Sequence, residues 1–327
     1  MTKNREAIVK IMVLLGLVTL LAGCGGGRGD TSAATGTTTA SPSGDNLSGR
    51  IEADGSSTVG PYTTAAAERF RAVEPDVQIT VGVSGTGGGF ERFCRGETDL
   101  SDASRPIKDE EQQLCEQNGV EYVEFQVAND ALTVVVNPQN LWAKCMTTAQ
   151  LKKLWEPGSK VDSWNDLDPS WPDVLINLFG PGTDSGTFDY FTEVIVGEAG
   201  ASRPDYAASE DDNVIVTGVA GEEGALGYLG FSYYEENMDK LKAIEIDGGD
   251  GCVAPSVETA QNGTYKPLSR PLFIYVKKES LARPEVEAFL RFLLDNEKEI
   301  AAAAQFVPLT DEQLAKAKAD LEAASSG

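Results

Sequence analysis

The chain has no histidine among its 327 residues. That absence removes Ser-His-Asp and Cys-His catalysis, and with them the commonest transition-metal ligand. Positive charge is scarce too: 27 Lys and Arg stand against 51 Asp and Glu, giving a formal net charge of −24. So acidic a surface repels nucleic acid and anionic membrane, which excludes both as partners held by bulk electrostatics. Cysteine is limited to five residues, and no two have the C-x-x-C spacing of a redox or zinc site. No catalysis, metal or cofactor is therefore expected.

What is present begins with an export signal. Lys3, Arg5 and Lys10 precede an apolar run over 11–21, the layout of a secretory segment rather than a spanning helix. The run ends in Leu21-Ala22-Gly23-Cys24, which resembles the lipobox of bacterial lipoproteins, where cleavage before the cysteine leaves it diacylated. Residues 1–23 are thus expected to be a signal peptide, and 24–47 a lipidated Cys24 followed by a flexible Ser/Thr/Gly/Ala tether. Four cysteines remain, Cys94, Cys115, Cys145 and Cys252, an even number that in an exported chain suggests two disulfides with three possible pairings.

The mature part alternates strand-like and helix-like segments. Gly180-Pro-Gly-Thr-Asp-Ser-Gly-Thr-Phe188 follows an apolar run, Val174 to Phe179, that reads as a strand buried on both faces. Phe188, Phe191, Val194 and Ile195 then recur at helical spacing. Asp184, Ser185 and Thr187 are capping types, and free N–H groups of a first helical turn carry partial positive charge. Three more turns have the same character: Gly55-Ser-Ser-Thr-Val-Gly-Pro61, Ser84-Gly-Thr-Gly-Gly-Gly89 and Asp99-Leu-Ser-Asp-Ala-Ser-Arg-Pro106. None ends in the lysine and hydroxyl of a phosphate-binding nucleotide loop, and none is a dinucleotide fingerprint with its ribose-binding acid. Four donor-rich turns suit a compact oxyanion better than a nucleotide. Strands are expected at 122–127 and 132–136, with a crossing between lobes at Ala128-Asn129-Asp130, and a strong strand at 272–276. Helices are expected at 283–294 and 310–324, the latter opened by the capping box Thr310-x-x-Gln313. The alternation predicts an α/β fold with mainly parallel sheets and a ligand beyond the strands' carboxyl ends.

Taken in order, Asp54-Gly-Ser-Ser-Thr-Val59, Gly85-Thr-Gly-Gly-Gly-Phe90, Ser104-Arg-Pro-Ile107, the 180–188 turn and Pro267-Leu-Ser-Arg-Pro-Leu-Phe-Ile-Tyr-Val276 resemble the phosphate-binding lipoproteins of bacterial ABC-type phosphate importers. The resemblance covers nearly all of the mature chain. It implies a two-lobed periplasmic-binding-protein fold, type II-like, each lobe a mainly parallel sheet flanked by helices. Lobe one would hold 48–128 plus 265–327 and lobe two 132–258. It implies phosphate contacts from Ser57 and Thr58, from Gly85, Thr86 and Gly87, from Ser104 and Arg105, and from Ser185, Gly186 and Thr187.

Two positions depart from the pattern. Where some relatives have an aspartate that accepts the phosphate proton, this chain has Ser104; where they have an arginine four residues before the lobe-two serine, it has Pro181. Arg105 is then the one expected site cation, and Asp54, Asp102 and Asp184 are the carboxylates on offer as proton acceptor, Asp102 and Asp184 foremost. The lobe boundaries pair Cys94 with Cys115 and Cys145 with Cys252, since neither bridge then crosses the hinge. The expected protein is a monomeric, lipid-anchored receptor on the outer face of the membrane that passes inorganic phosphate to importer permease subunits. Sulfate, molybdate or phosphonate are the alternative ligands, and a structural lipoprotein is the alternative role. Asp184-Ser-Gly-Thr187 also matches an aspartic-protease signature, but a second such motif and an all-β pattern are both missing.

Overall fold

A computed structural model describes residues 47–326; the expected signal segment, Cys24 and the tether up to residue 46 lie outside them. The chain opens with β1 (Ser48–Gly55), α1 (Gly60–Phe70), β2 (Asp76–Val81), α2 (Gly85–Cys94), β3 (Leu100–Ala103) and α3 (Asp109–Gln117). A long strand, β4 (Tyr122–Val136), leads into β5 (Cys145–Thr147), α4 (Thr148–Trp155), α5 (Trp164–Leu167), β6 (Asn177–Pro181) and α6 (Gly186–Phe191). A π-helical turn, Thr192–Val196, extends α6. Then come β7 (Ala207–Ser209), α7 (Asp212–Gly221), β8 (Ala225–Gly230), α8 (Phe231–Glu236), β9 (Lys242–Ala243), β10 (Glu245–Asp247), β11 (Cys252–Val253) and α9 (Val257–Gln261). The chain returns through β12 (Ser269–Lys277) to α10 (Lys278–Leu281), α11 (Pro284–Asp295), α12 (Glu297–Ala303) and α13 (Asp311–Ser325).

The main sheet has the order β2-β1-β3-β12-β4-β8-β6-β7, with β9 also on β4. Its outer strands are parallel: β1 with β2 and β3, and β6 with β7 and β8. The middle is antiparallel, because β12 returns between β3 and β4 and β8 pairs against β4. The sheets are therefore mixed, and the parallel strands carry the donor-rich turns.

The expected crossing at Ala128-Asn129-Asp130 is not a break between two strands. β4 runs through it for 15 residues because its partner changes: β12 bonds it up to Ala131, and β8 takes over from Leu132. Every stretch keeps its backbone partners, so nothing forces the strand to end. The strand expected at 174–179 is displaced as well, since β6 begins at Asn177 and Leu175 is 69% exposed.

Each half of the sheet has its own core. Ile51, Tyr62, Phe70 and Phe125 pack against Phe289, Leu290 and Leu293 on one face of the first half. Phe90 and Phe93 meet Tyr275 on the other, beside Cys94–Cys115. In the second half Trp155 stands edge-on to Tyr228, and Phe191 stacks on Tyr228 at 3.8 Å. Cys145–Cys252 ties the start of that half to its end. Both disulfides are the pairs expected from the sequence.

Candidate functional site

The site is built from turns that follow strands. At the end of β1, Gly55 has φ +148°, and a Cβ there would lie 2.1 Å from the carbonyl oxygen of Asp102 on the neighbouring strand. Only glycine lets the two backbones come so close. The Ser56 N–H donates to that carbonyl at 2.9 Å, and Ser56 Oγ accepts from the N–H of Thr58 at 3.2 Å. This fixes the Ser57-Thr58 turn. The second turn is held by Asp54, whose Oδ1 accepts from the Ser84 N–H at 3.0 Å while Oδ2 pairs with Arg92. It joins the third turn directly: Thr86 Oγ1 lies 3.0 Å from Ser104 Oγ and accepts from the Ser104 N–H at 3.3 Å. In the second half, Ser185 caps α6, its Oγ accepting from the Thr187 N–H at 3.2 Å.

These turns face one another across a cleft of about 250 Å³ lined by Ser57, Thr58, Gly85, Thr86, Gly87, Ser104, Arg105 and Gly186. Thr187 lines a smaller, adjoining hollow of about 150 Å³ that shares Ser57, Thr58 and Gly186. Ser185 lines neither; it acts on the site through its cap. The two halves touch at Gly186, where a Cβ would lie 3.0 Å from Thr58 Oγ1 and 3.3 Å from the Thr58 nitrogen. Valine at 186 is expected to hold the halves apart and weaken ligand binding by roughly 5- to 150-fold, the range of about 1 to 3 kcal/mol for overpacking. Calorimetry measures the loss, and an unchanged melting temperature separates it from misfolding.

The charges of the site differ from expectation. Arg105 is not the only cation in the cleft, and its fork is engaged: Nη1 and Nη2 donate to the two carboxylate oxygens of Glu111 at 2.8 and 2.7 Å. Burial alone would raise the Glu111 carboxyl, but the bonds from Arg105 and from the Lys108 N–H bring it below its usual value. Sequence reasoning missed two cations that line the cleft, the exposed Lys108 just before α3 and the nearly buried Arg270 on β12. Its Nη2 donates to Thr58 Oγ1 at 2.9 Å and lies 3.1 Å from Asp130 Oδ2. Its guanidinium carbon is 3.5 Å from the centre of the Tyr190 ring, whose hydroxyl donates to the Pro267 carbonyl at 2.7 Å. Arg270 and Asp130 are both nearly buried, with side chains 11% and 9% exposed. Burial pushes the Asp130 carboxyl up, and Arg270 only partly offsets that. The one signal in the sequence was Arg270's place inside the 267–276 motif.

Neither foremost carboxylate reaches the cleft. Asp184 is exposed, outside the lining residues, with its N–H turned to Glu210. Asp102 lies beneath the first turn, fully buried, because β3 is covered on both faces; its Oδ1 accepts from Thr63 Oγ1 at 2.8 Å and its Oδ2 has no partner. Burial pushes its carboxyl up to about 7, the Thr63 bond opposing and the charge of Asp54 adding. The folded state thus binds this proton more tightly than the unfolded chain, so stability falls as pH rises from about 4 to 7. Asn at 102 is expected to gain stability relative to the parent between pH 5 and pH 8, read by urea unfolding at each pH. A residual slope should remain from Asp212 and Glu297, pushed up to about 6 and about 7 mainly by burial.

The carboxylates that do line the cleft are Asp189 and Glu193, on α6 and its π-helical extension. Thr192 shapes that extension: its hydroxyl donates to the Phe188 carbonyl at 2.8 Å and accepts from the Gly200 N–H at 2.8 Å. Burial, then the charge of Glu193, pushes the Asp189 carboxyl up, with Arg270 opposing. Among the described residues its side chain makes no hydrogen bond or ion pair.

Two lobes joined by a shared strand, closing neutral donors and a buried arginine over a small cleft, define a solute receptor of the periplasmic-binding type. The PBP superfamily domain matches residues 31–297. Protein SphX of Synechocystis sp. is 50% identical over 265 residues, 80% of this chain and 79% of that protein. Phosphate-binding protein PstS of Staphylococcus epidermidis is 40% identical over 298 residues, 90% of this chain and 86% of that protein. A crystal structure of a possible phosphate binding protein from Planctomyces limnophilus aligns with a TM-score of 0.82 at 48% identity, covering 85% of this chain and 99% of that one. The chain belongs to the PBP superfamily and, within it, to the family of bacterial phosphate-binding receptors.

Proposed function

We propose that the protein is an extracytoplasmic receptor that binds inorganic phosphate between its lobes and delivers it to an ABC importer. The observation that carries this reading is the seam where Gly186 of one lobe meets Thr58 of the other, with Arg270 bonded to the same threonine. Phosphate sits among Ser57, Thr58, Thr86, Ser104 and the Ser185-Gly186-Thr187 turn. Arg270 supplies the main counter-charge, because a buried anion is costly without one. Asp189, which has no other partner among the described residues, accepts the ligand's hydrogen. The hydroxyls donate hydrogen bonds and attack nothing. Lobe one, 48–128 plus 265–327, and lobe two, 132–258, close about β4 and the return into β12.

Equilibrium dialysis with radiolabelled phosphate, alone and with excess sulfate, tests the reading. Retention of phosphate that sulfate does not displace is the expected result; no retention, or equal competition, overturns it. No helix among the described residues is long and apolar enough to cross a membrane. Attachment is through acylated Cys24, since two acyl chains give stable anchoring where one gives only marginal binding. Cys24→Ala is therefore expected to abolish fatty-acid labelling and release the protein from membranes. The receptor works as a monomer beside its permease partners.

A further inference from the structure

The charges lining the cleft are divided by lobe. Arg105, Lys108 and Arg270 come from the first half of the sheet and its β12 return, whereas the second half contributes only the carboxylates Asp189 and Glu193. A wall of carboxylates opposes an arriving anion, so the ligand's first contact is with the cationic wall. Glu193 is exposed and makes no side-chain hydrogen bond or ion pair among the described residues; the same holds for the Lys108 ammonium group. Both line one cavity of about 250 Å³, one from each half of the sheet. Where the two charges come within about one Debye length, about 8 to 10 Å, their attraction survives physiological salt. Arg105 is held in its charged form first by its bonds to Glu111, against the opposing effect of burial, and the charge of Glu193 adds to this. The π-helical turn that carries Glu193 is the kind of local irregularity that tends to occur at functional sites.

We propose that Glu193 and Lys108, with Arg105 beside it, form a charge clasp across the cleft mouth: phosphate docks on lobe one, and the clasp then holds lobe two shut over it. The clasp rests on the phosphate-receptor reading and concerns the rate of release, which that reading leaves open. Lobe two acts as an electrostatic lid, and the contacts that choose the ligand lie deeper.

Dissociation of radiolabelled phosphate under a chase of unlabelled phosphate tests this in the parent, Glu193→Lys, Glu193→Gln, Lys108→Glu and the double swap Lys108→Glu/Glu193→Lys. Exposed pairs are individually weak, so each single reversal should speed release by roughly three- to tenfold at low salt, and Glu193→Gln by less. The swap should restore slow release. Near 1 M salt, where the Debye length is about 3 Å, the variants should converge on the parent. A swap that releases as fast as the single variants, or a difference that persists in high salt, overturns the clasp. A parent that retains no phosphate overturns the receptor reading itself, and the clasp with it.

Discussion

Replacing Arg270 with alanine is expected to weaken phosphate binding by roughly thirty-fold to several thousand-fold, the range of about 2 to 5 kcal/mol for truncating one partner of a buried charge pair. Three contacts are lost together. The Nη2 bond to Thr58 Oγ1 disappears, the Tyr190 ring loses the cation that covers it, and Asp130 is left buried without its cation. An uncompensated carboxylate beside an anion's seat both repels the ligand and destabilises the fold, the latter by about 3 to 5 kcal/mol when a buried pair is broken from one side. Two further variants separate the effects. Lysine at 270 keeps the charge but loses the planar fork and much of the stacking, and should fall between parent and alanine. Arg270→Ala with Asp130→Asn should recover melting temperature without recovering phosphate affinity. Calorimetry and thermal unfolding on the four proteins read both quantities, and unchanged affinity in Arg270→Ala would reject the charge assignment.

Asparagine at 189 is expected to alter selectivity as well as affinity. Phosphate at neutral pH keeps at least one hydrogen, which the free Asp189 carboxylate can accept; sulfate has none and meets the same oxygen with repulsion. Losing a hydrogen bond to a charged group costs about 1.5 to 3 kcal/mol, so phosphate should weaken by roughly 10- to 150-fold. Sulfate should bind better, since asparagine offers an N–H in its place. Because the Asp189 carboxyl is raised above its ordinary value, first by burial and then by Glu193, the parent should begin to bind sulfate as pH falls and that carboxyl takes up a proton. Titrations with both anions at pH 5 and pH 8 measure the ratio. An unchanged ratio in Asp189→Asn would remove Asp189 from the role.

Some of this architecture was legible in the sequence because its causes are local. The Thr310 capping box forms as written, Thr310 Oγ1 accepting from the Gln313 N–H at 3.1 Å and Gln313 Oε1 accepting from the Thr310 N–H at 2.9 Å. Ser185 caps its helix, and the serine, threonine and glycine turns sit at strand ends because those residue types favour helix starts wherever they occur. A short apolar run such as 214–218 reads alike as strand or helix from its pattern, and the tertiary structure places it in α7. The disulfide pairs followed from the lobe boundaries that the family resemblance implies.

Composition and local pattern on their own determined that the protein is acidic, histidine-free and α/β, with donor-rich turns gathered at strand ends. Tertiary structure decided where the charge lies. Arg270 meets Thr58 across 212 residues of chain, and Arg105, next to Ser104 in sequence, turns instead to Glu111 six residues on. Asp102 looked available because it stands in a polar turn, yet the sheet covers it completely, while Asp189 and Glu193 reach the cleft through the pitch of a helix and its π-turn. A charged side chain's role depends on which distant groups surround and desolvate it, and folding alone brings those groups together.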